Sequence, residues 1–177
     1  MTGVEVTEQS WQAEVIERSQ REPVVVDFWA EWCGPCKALG PVIEEATATK
    51  GVALAKVDVD ANPEVARRFG IASIPAVKAF RNGHVVAEFV GARSRQMVEV
   101  WLDELTKPPV AEQVDDPELA RVLADGDYQS AFDILLARIG NGDREASREL
   151  MVKLFGELGH EHPLTVQYRR KLATALY

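Results

Sequence analysis

The chain has two cysteines, Cys33 and Cys36, set two residues apart in the run Trp32-Cys33-Gly34-Pro35-Cys36. A pair so spaced fits three kinds of chemistry: a dithiol–disulfide couple, half of a zinc site, or two inert buried thiols. A structural zinc ion takes four ligands. There is no second Cys-x-x-Cys, and His84, His160 and His162 are the only histidines, so the ligand set falls short and no metal site is expected. The Gly34-Pro35 spacer and the flanking Trp32 point to an exposed turn, which argues against inert thiols. A reactive thiol must be a thiolate near neutral pH. Pro35 suits the first turn of a helix, which puts the Cys33 sulfur at a helix N-terminus, where the dipole favours negative charge. Cys36 lies one turn on, within reach of a hydrogen bond. Cys33 is therefore expected to be the more exposed and more reactive of the two.

Positioning such a pair takes a scaffold, and the surrounding pattern supplies one. Thr7 to Gln20 carries Trp11, Val15 and Ile16 in a polar setting and reads as a short amphipathic helix. Pro23 to Trp29 is apolar and β-branched, as in a buried parallel strand. A helix is expected from the cysteines to about Thr49, kinked at Pro41. Val52 to Val59 reads as the next buried strand, and Asn62-Pro63 opens a helix closed by Gly70. Ala76 to Arg81 and His84 to Val90 flank Asn82-Gly83, the dipeptide of a type I′ hairpin turn. Ser94 caps a helix bearing Met97, Val98, Trp101, Leu102 and Leu105. Strand, helix, strand, helix, hairpin, helix makes an α/β sheet with helices on both faces.

These residues carry a resemblance. WCGPC, the preceding VVDFWA, Pro41, KVDVDANP, FGIASIPA and the Asn82-Gly83 hairpin before Gly91 together resemble thioredoxin, in order, over roughly residues 5–106. The resemblance implies the thioredoxin fold, a central mixed sheet of four or five strands flanked by helices, and a redox-active Cys33–Cys36 disulfide with no further cofactor. Cys33 would attack a substrate disulfide and Cys36 would resolve the mixed disulfide. In such settings, of which thioredoxin is the type example, the nucleophile has a pKa of about 7. Asp27 would take the proton of Cys36. It sits among Val24, Val25, Val26 and Phe28, so burial should raise its pKa; a place on an exposed strand edge is the bland alternative. Lys56, in the neighbouring strand, would pair with Asp27 or reach out to solvent. Pro75 corresponds to the family's cis-proline, leaving the backbone of Ile74 open to a bound peptide. Trp32, Gly34, Pro35, Ile74, Pro75 and Gly91 would form the substrate surface. Three positions depart from the family pattern: Ala76 where threonine is usual, Lys78 in an apolar strand, and Gly40 in place of a larger residue.

Thr106 to Pro117, rich in proline and acid, reads as a linker. Beyond it the periodicity is helical only. Leu119, Val122 and Leu123 form one stripe; Phe132, Leu135, Leu136 and Ile139 a second; Met151, Leu154, Phe155 and Leu158 a third; Leu164, Tyr168, Leu172 and Leu176 a fourth. Four helices in two antiparallel hairpins follow, a small all-α C-terminal domain. The spans are then 1–106 for the thioredoxin-like domain, 107–116 for the linker and 117–177 for the helical domain. Leu123, Gly126, Tyr128, Ala131 and Leu135 resemble a tetratricopeptide hairpin. Two hairpins are few for such repeats, so they must cover each other, dock on the thioredoxin-like domain or associate with another chain, and part of an apolar stripe is expected to remain uncovered. The whole order, ending in LGxxHPL, YRRKLA and LY, resembles the bacterial chaperedoxins. That resemblance implies a co-chaperone that protects unfolding clients with disulfides or oxidised cysteines and hands them to a GroEL-type chaperonin; thioredoxin reductase is an expected partner of the thioredoxin-like domain. The other reading is a plain thioredoxin reductant whose tail only stabilises or dimerises it.

Composition removes some classes. The net charge is −8, with 20 Lys and Arg against 28 Asp and Glu, and both halves are acidic, so nucleic acid is not an expected partner. The first fifteen residues lack a basic and apolar leader, and no apolar run approaches a membrane span, so no membrane partner is expected. The reading is a cytoplasmic protein, where a lone Cys-x-x-Cys is reactive more often than structural.

Overall fold

The computed structural model describes residues 3–176; Met1, Thr2 and Tyr177, with which the domain spans and the LY motif begin or end, lie outside the described residues. The chain divides into two compact units, Met1–Lys107 and Pro108–Tyr177.

The first unit is built on a five-stranded sheet. Its strands are β1 (Val4–Glu5), β2 (Val24–Trp29), β3 (Ala53–Asp58), β4 (Ala76–Arg81) and β5 (His84–Val90), in the spatial order β1-β3-β2-β4-β5. β1 and β2 run parallel to β3, whereas β4 runs antiparallel to both β2 and β5. The sheet is thus mixed, as the resemblance implies. β2 is its middle strand, and the unbroken run of valines follows from burial on both faces. Side chains alternate, so each face has its own core. Val24, Val26 and Phe28 meet Trp11, Val15, Val57 and Phe80 on one side. Val25, Val77, Ala79 and Phe89 meet Leu39 and Ile43 of α1 (Gly34–Lys50) and Val98 and Leu102 of α3 (Arg95–Leu105) on the other. Each valine, leucine, isoleucine or phenylalanine so buried contributes about 1.5–3 kcal/mol.

Local chemistry sets the element ends. Asn82 and Gly83 have φ of 52° and 78°, the left-handed pair that the type I′ turn requires. The Ser94 hydroxyl accepts a hydrogen bond from the Met97 amide and starts α3. α2 spans Pro63–Arg68 between the caps Asn62 and Phe69, so Gly70 stands at the C′ position with a φ of 63°, as the sequence pattern expects.

β1, a strand of two residues, is the fifth member at the sheet edge, within the four or five strands that the resemblance implies. One detail of this unit differs from the sequence reading. The amphipathic segment does not wind as one helix over Thr7–Gln20. Thr7 and Ser10 hold each other's backbone in a turn, with the Thr7 amide donating to Ser10 Oγ at 3.0 Å, and this local bond competes with helix. A π-helical turn, Gln12–Glu17, and a 3₁₀ turn, Arg18–Gln20, follow it and still bury Val15.

The second unit is all helical: α4 (Val110–Gln113), α5 (Pro117–Ala124), α6 (Tyr128–Gly140), α7 (Arg144–Leu158) and α8 (Pro163–Leu176). α4 lies inside the stretch read as linker. It is held by Glu157, which accepts hydrogen bonds from the Val110 amide at 2.8 Å and the Tyr128 hydroxyl at 2.6 Å, and Val110 joins the helical core. Asp116 and Asp127 cap α5 and α6 by accepting from the Leu119 and Ser130 amides. All four stripes run into one core, with Phe132 stacked on Phe155 at 5.1 Å and on Tyr168 at 4.8 Å. The expectation of an uncovered stripe is therefore corrected. α6 packs against α5, α7 and α8 together, and Val152 and Val166 are the large apolar side chains exposed among the described residues of this unit.

Candidate active site

β2 delivers the chain to the cysteines. Its apolar run ends at Trp29 and Ala30, and α1 begins at Gly34. Cys33 is the N-cap residue of α1, with Pro35 in the first turn, and its sulfur accepts a hydrogen bond from the Cys36 amide at 3.2 Å. That amide is one of the helix's unsatisfied donors. Together with the dipole it stabilises negative charge on Cys33 when the couple is reduced. In this structure the sulfurs of Cys33 and Cys36 are joined as a disulfide.

The greater exposure expected for Cys33 is not what the structure shows. Cys33 and Cys36 are 3% and 4% exposed, and both pack with Ala30, Trp29, Val59 and Ile74. The turn is exposed at its flanks instead: Trp32 is 69% exposed, and Gly34 and Pro35 face solvent as well. The joined sulfurs turn inward onto apolar neighbours, while the backbone between them stays outside.

The substrate-surface residues come together around the disulfide in part. The Ile74–Pro75 bond is cis, and Ile74 packs on the cysteines. Gly91 contacts the same loop, its amide donating to the Pro75 carbonyl at 2.8 Å; its φ of 88° is a conformation that favours glycine. Trp32 is held by Asp60, whose carboxylate accepts from the indole N–H at 2.7 Å. Asp60 is a residue the sequence pattern did not single out. Of the departures, Ala76 is buried, whereas Lys78 pairs with Glu88 across the hairpin.

Beneath the cysteines a cleft of about 260 Å³ is lined by Asp27, Trp29, Cys36, Lys37, Gly40, Pro41, Glu44 and Lys56. Asp27 shares the face of Val25, so it points toward α1, and it is 1% exposed. Its Oδ1 has no hydrogen-bond partner in the structure. Burial pushes its pKa up to about 6; Lys56 opposes that rise, while Glu44 and Glu5 add to it. A carboxyl titrating there can take and return a proton near neutral pH, and Cys36 lines the same cleft.

Lys56 stands opposite Asp27 in the register of β2 and β3. The pairing it makes is with Glu44, at 2.9 Å, and more distantly with Glu5, at 3.8 Å. Its Nζ also lies 5.2 Å from the centre of the Trp29 ring. Burial works against the Lys56 charge, but the hydrogen bond and charge of Glu44, with Glu5 and Asp27, outweigh it and hold its pKa above the usual lysine value. Glu44 escaped the sequence reading, although its spacing of eight residues from Cys36 puts it on the same side of α1.

Among the described residues no three His, Cys, Asp or Glu side chains gather as metal ligands. No described helix is long and apolar enough to cross a membrane.

Comparison with known proteins agrees with this geometry. The thioredoxin family model matches residues 2–104, and a tetratricopeptide repeat model matches residues 109–177. The chain is 49% identical over 96 residues to the thioredoxin of Mycolicibacterium smegmatis, which covers 52% of this chain and 84% of that protein. It is 46% identical over 102 residues to thioredoxin 2 of Chlorobaculum tepidum, covering 56% of this chain and 92% of the relative. The match to the bifunctional thioredoxin reductase/thioredoxin of Mycobacterium leprae is 47% over 94 residues, 52% of this chain but only 20% of that protein's length. Cys33 and Cys36 are thus the couple of a thioredoxin-type disulfide oxidoreductase that carries a tetratricopeptide-like tail, and the chain belongs to the thioredoxin family.

Proposed function

We propose that the protein reduces disulfides in protein clients from its first unit, Met1–Lys107, and engages partner proteins through its helical unit, Pro108–Tyr177. The observation that carries the reductase reading is the Cys33–Cys36 disulfide capping α1 over a cleft that holds Asp27. In the reduced protein the Cys33 thiolate attacks one sulfur of a client disulfide, and the other client sulfur leaves as a thiolate. Asp27 takes the proton of Cys36, and Cys36 then attacks the Cys33 sulfur. The Cys33–Cys36 disulfide forms and the client leaves fully reduced, carrying the two electrons. Lys56 sets the charge near Asp27. Trp32, Gly34, Pro35, Ile74, Pro75 and Gly91 receive the client. Ile74 precedes the first paired residue of β4, Ala76, which supports a role for its backbone in holding an extended peptide. Thioredoxin reductase is the proposed electron donor. The location is cytoplasmic.

For the tail, the chaperedoxin resemblance supports a co-chaperone that binds unfolding clients and a GroEL-type chaperonin. The closure of four apolar stripes into one core favours a second reading, a reductant whose tail only stabilises or dimerises it. Insulin-disulfide reduction with thioredoxin reductase, run beside suppression of client aggregation, separates them when the full chain is compared with a chain ending at Lys107. The co-chaperone reading expects equal reduction and a loss of suppression on truncation. Absence of suppression by the full chain would favour the plain reductant, and absence of reduction by either would overturn the reductase reading.

A further inference from the structure

The base opposite Asp27 is drawn away from it. Register pairs Asp27 with Lys56, and an ammonium paired directly with a carboxylate would lower its pKa by about 1–3 units. Yet the Lys56 Nζ donates to Glu44 Oε1 at 2.9 Å, and Asp27 Oδ1 is left without a hydrogen bond. Glu44 can reach because Cys36, Gly40 and Glu44 follow one another at i, i+4 and i+8 along α1. The space beside Gly40 is open: a Cβ added there would meet no atom within 4 Å.

We infer that Glu44 is a positioning residue for the redox couple: it holds the Lys56 ammonium off the Asp27 carboxylate and so keeps that carboxylate an effective base for Cys36. The inference rests on the assignment of Asp27 as the proton acceptor. The other charged and titratable groups around Asp27 are few. From α1, Lys37 and Cys36 line the same cleft. From β1, Glu5 reaches Lys56 at 3.8 Å and is largely exposed. Asp58, the next residue on the same side of β3, is engaged by the Asp60 amide at 2.9 Å. On β4 the residue paired with Asp27 is Val77, which carries no charge. Removing the Glu44 charge therefore leaves Asp27 as the nearest buried anion for Lys56.

The test uses full-length protein in its reduced form. The Asp27 carboxyl is followed by carbon-13 NMR across pH, and disulfide turnover is measured over the same range. Glu44→Gln should move the Asp27 midpoint down by about one pH unit, and the acid limb of turnover should move with it. In a Lys56→Met background the same substitution should move the midpoint by less than half as much, because the cation through which Glu44 acts is gone. An unmoved midpoint in Glu44→Gln overturns the inference, and so does an equal shift in both backgrounds, which would mean that Glu44 acts by its own charge alone. Turnover unaffected by Asp27→Asn at every pH would strike the acceptor assignment instead, a result separate from the NMR midpoint.

Discussion

The two units of this chain treat buried polar groups differently. In the first, the middle strand of the sheet carries a carboxylate among valines, with one oxygen unpaired and its neighbouring lysine held by another acid. In the second, the polar groups that face the core are mostly neutral and mostly engaged. The Tyr168 hydroxyl donates to Asp133 at 2.7 Å, and the Ser147 hydroxyl to Asp143 at 3.3 Å. Thr165 keeps an unpartnered hydroxyl there, but a neutral one, which is far less expensive than a charge. A buried ionisable group that lowers stability marks a candidate site for chemistry that needs it. Tyr168 of the helical unit is also fully buried, and burial together with Asp133 pushes its pKa up to about 12, but a phenol that stays protonated at neutral pH buries no charge.

The sharpest way to pull the units apart is to damage the helical core. Phe132 touches both Phe155 and Tyr168 and is fully buried. Phe132→Ala should cost about 3–5 kcal/mol, seen as early melting of helix by circular dichroism. Reduction of a small-molecule disulfide should stay within about twofold of the unaltered protein, since no residue of the couple lies in that unit. A rate that falls along with the helical signal would show that the chemistry depends on the tail.

Removing the Asp27 charge should have the next largest effect, with opposite signs for stability and activity. Its pKa rises from 3.8 to about 6 on folding. The neutral acid is thus favoured in the folded state. Its stabilising contribution is present in full below about pH 4 and is lost as pH rises through about 6. Above that, burial of the charge costs about 3 kcal/mol. Asp27→Asn should therefore be more stable than the unaltered protein at pH 7–8 by up to about 3 kcal/mol, with the gap closing toward pH 4. Denaturant titration at several pH values reads this directly. Disulfide turnover at neutral pH should fall about 100-fold. A variant no more stable at pH 8 than at pH 4, relative to the parent, would mean that Asp27 carries no buried charge.

Gly40→Ala is the mildest probe. The glycine lies inside α1 with open space beside it. Alanine should therefore add about 0.5–1 kcal/mol through helix propensity, with no more than a small change in turnover. A loss of stability would mean that the cleft next to Cys36 is tighter than it stands here.

Elements governed by local rules could be read from the sequence. Asn82-Gly83 dictates its own turn, Ser94 its own cap, and the valines of β2 their own burial. The helical stripes likewise named the core residues of the second unit. What escaped depends on partners distant in sequence. β1 has two residues and so no period to read. The distances that assign Lys56 to Glu44, or Trp32 to Asp60, exist only once α1, β3 and the loop after β3 are assembled. Proline and acid hid α4, because Val110 becomes a core residue only through Glu157, 47 residues away. The cysteines were identified by spacing, but their burial follows from the disulfide's contacts with Ile74 and Val59.

The division of labour between the two sulfurs is the centre of the mechanism, and trapping measures it directly. Cys33→Ser and Cys36→Ser proteins, each mixed with a disulfide-bearing client, are read by mass spectrometry under non-reducing conditions. Cys36→Ser should accumulate a mixed disulfide through Cys33, and Cys33→Ser should accumulate little or none. Equal trapping by both variants, or trapping by Cys33→Ser alone, would contradict the assignment of Cys33 as the attacking thiolate.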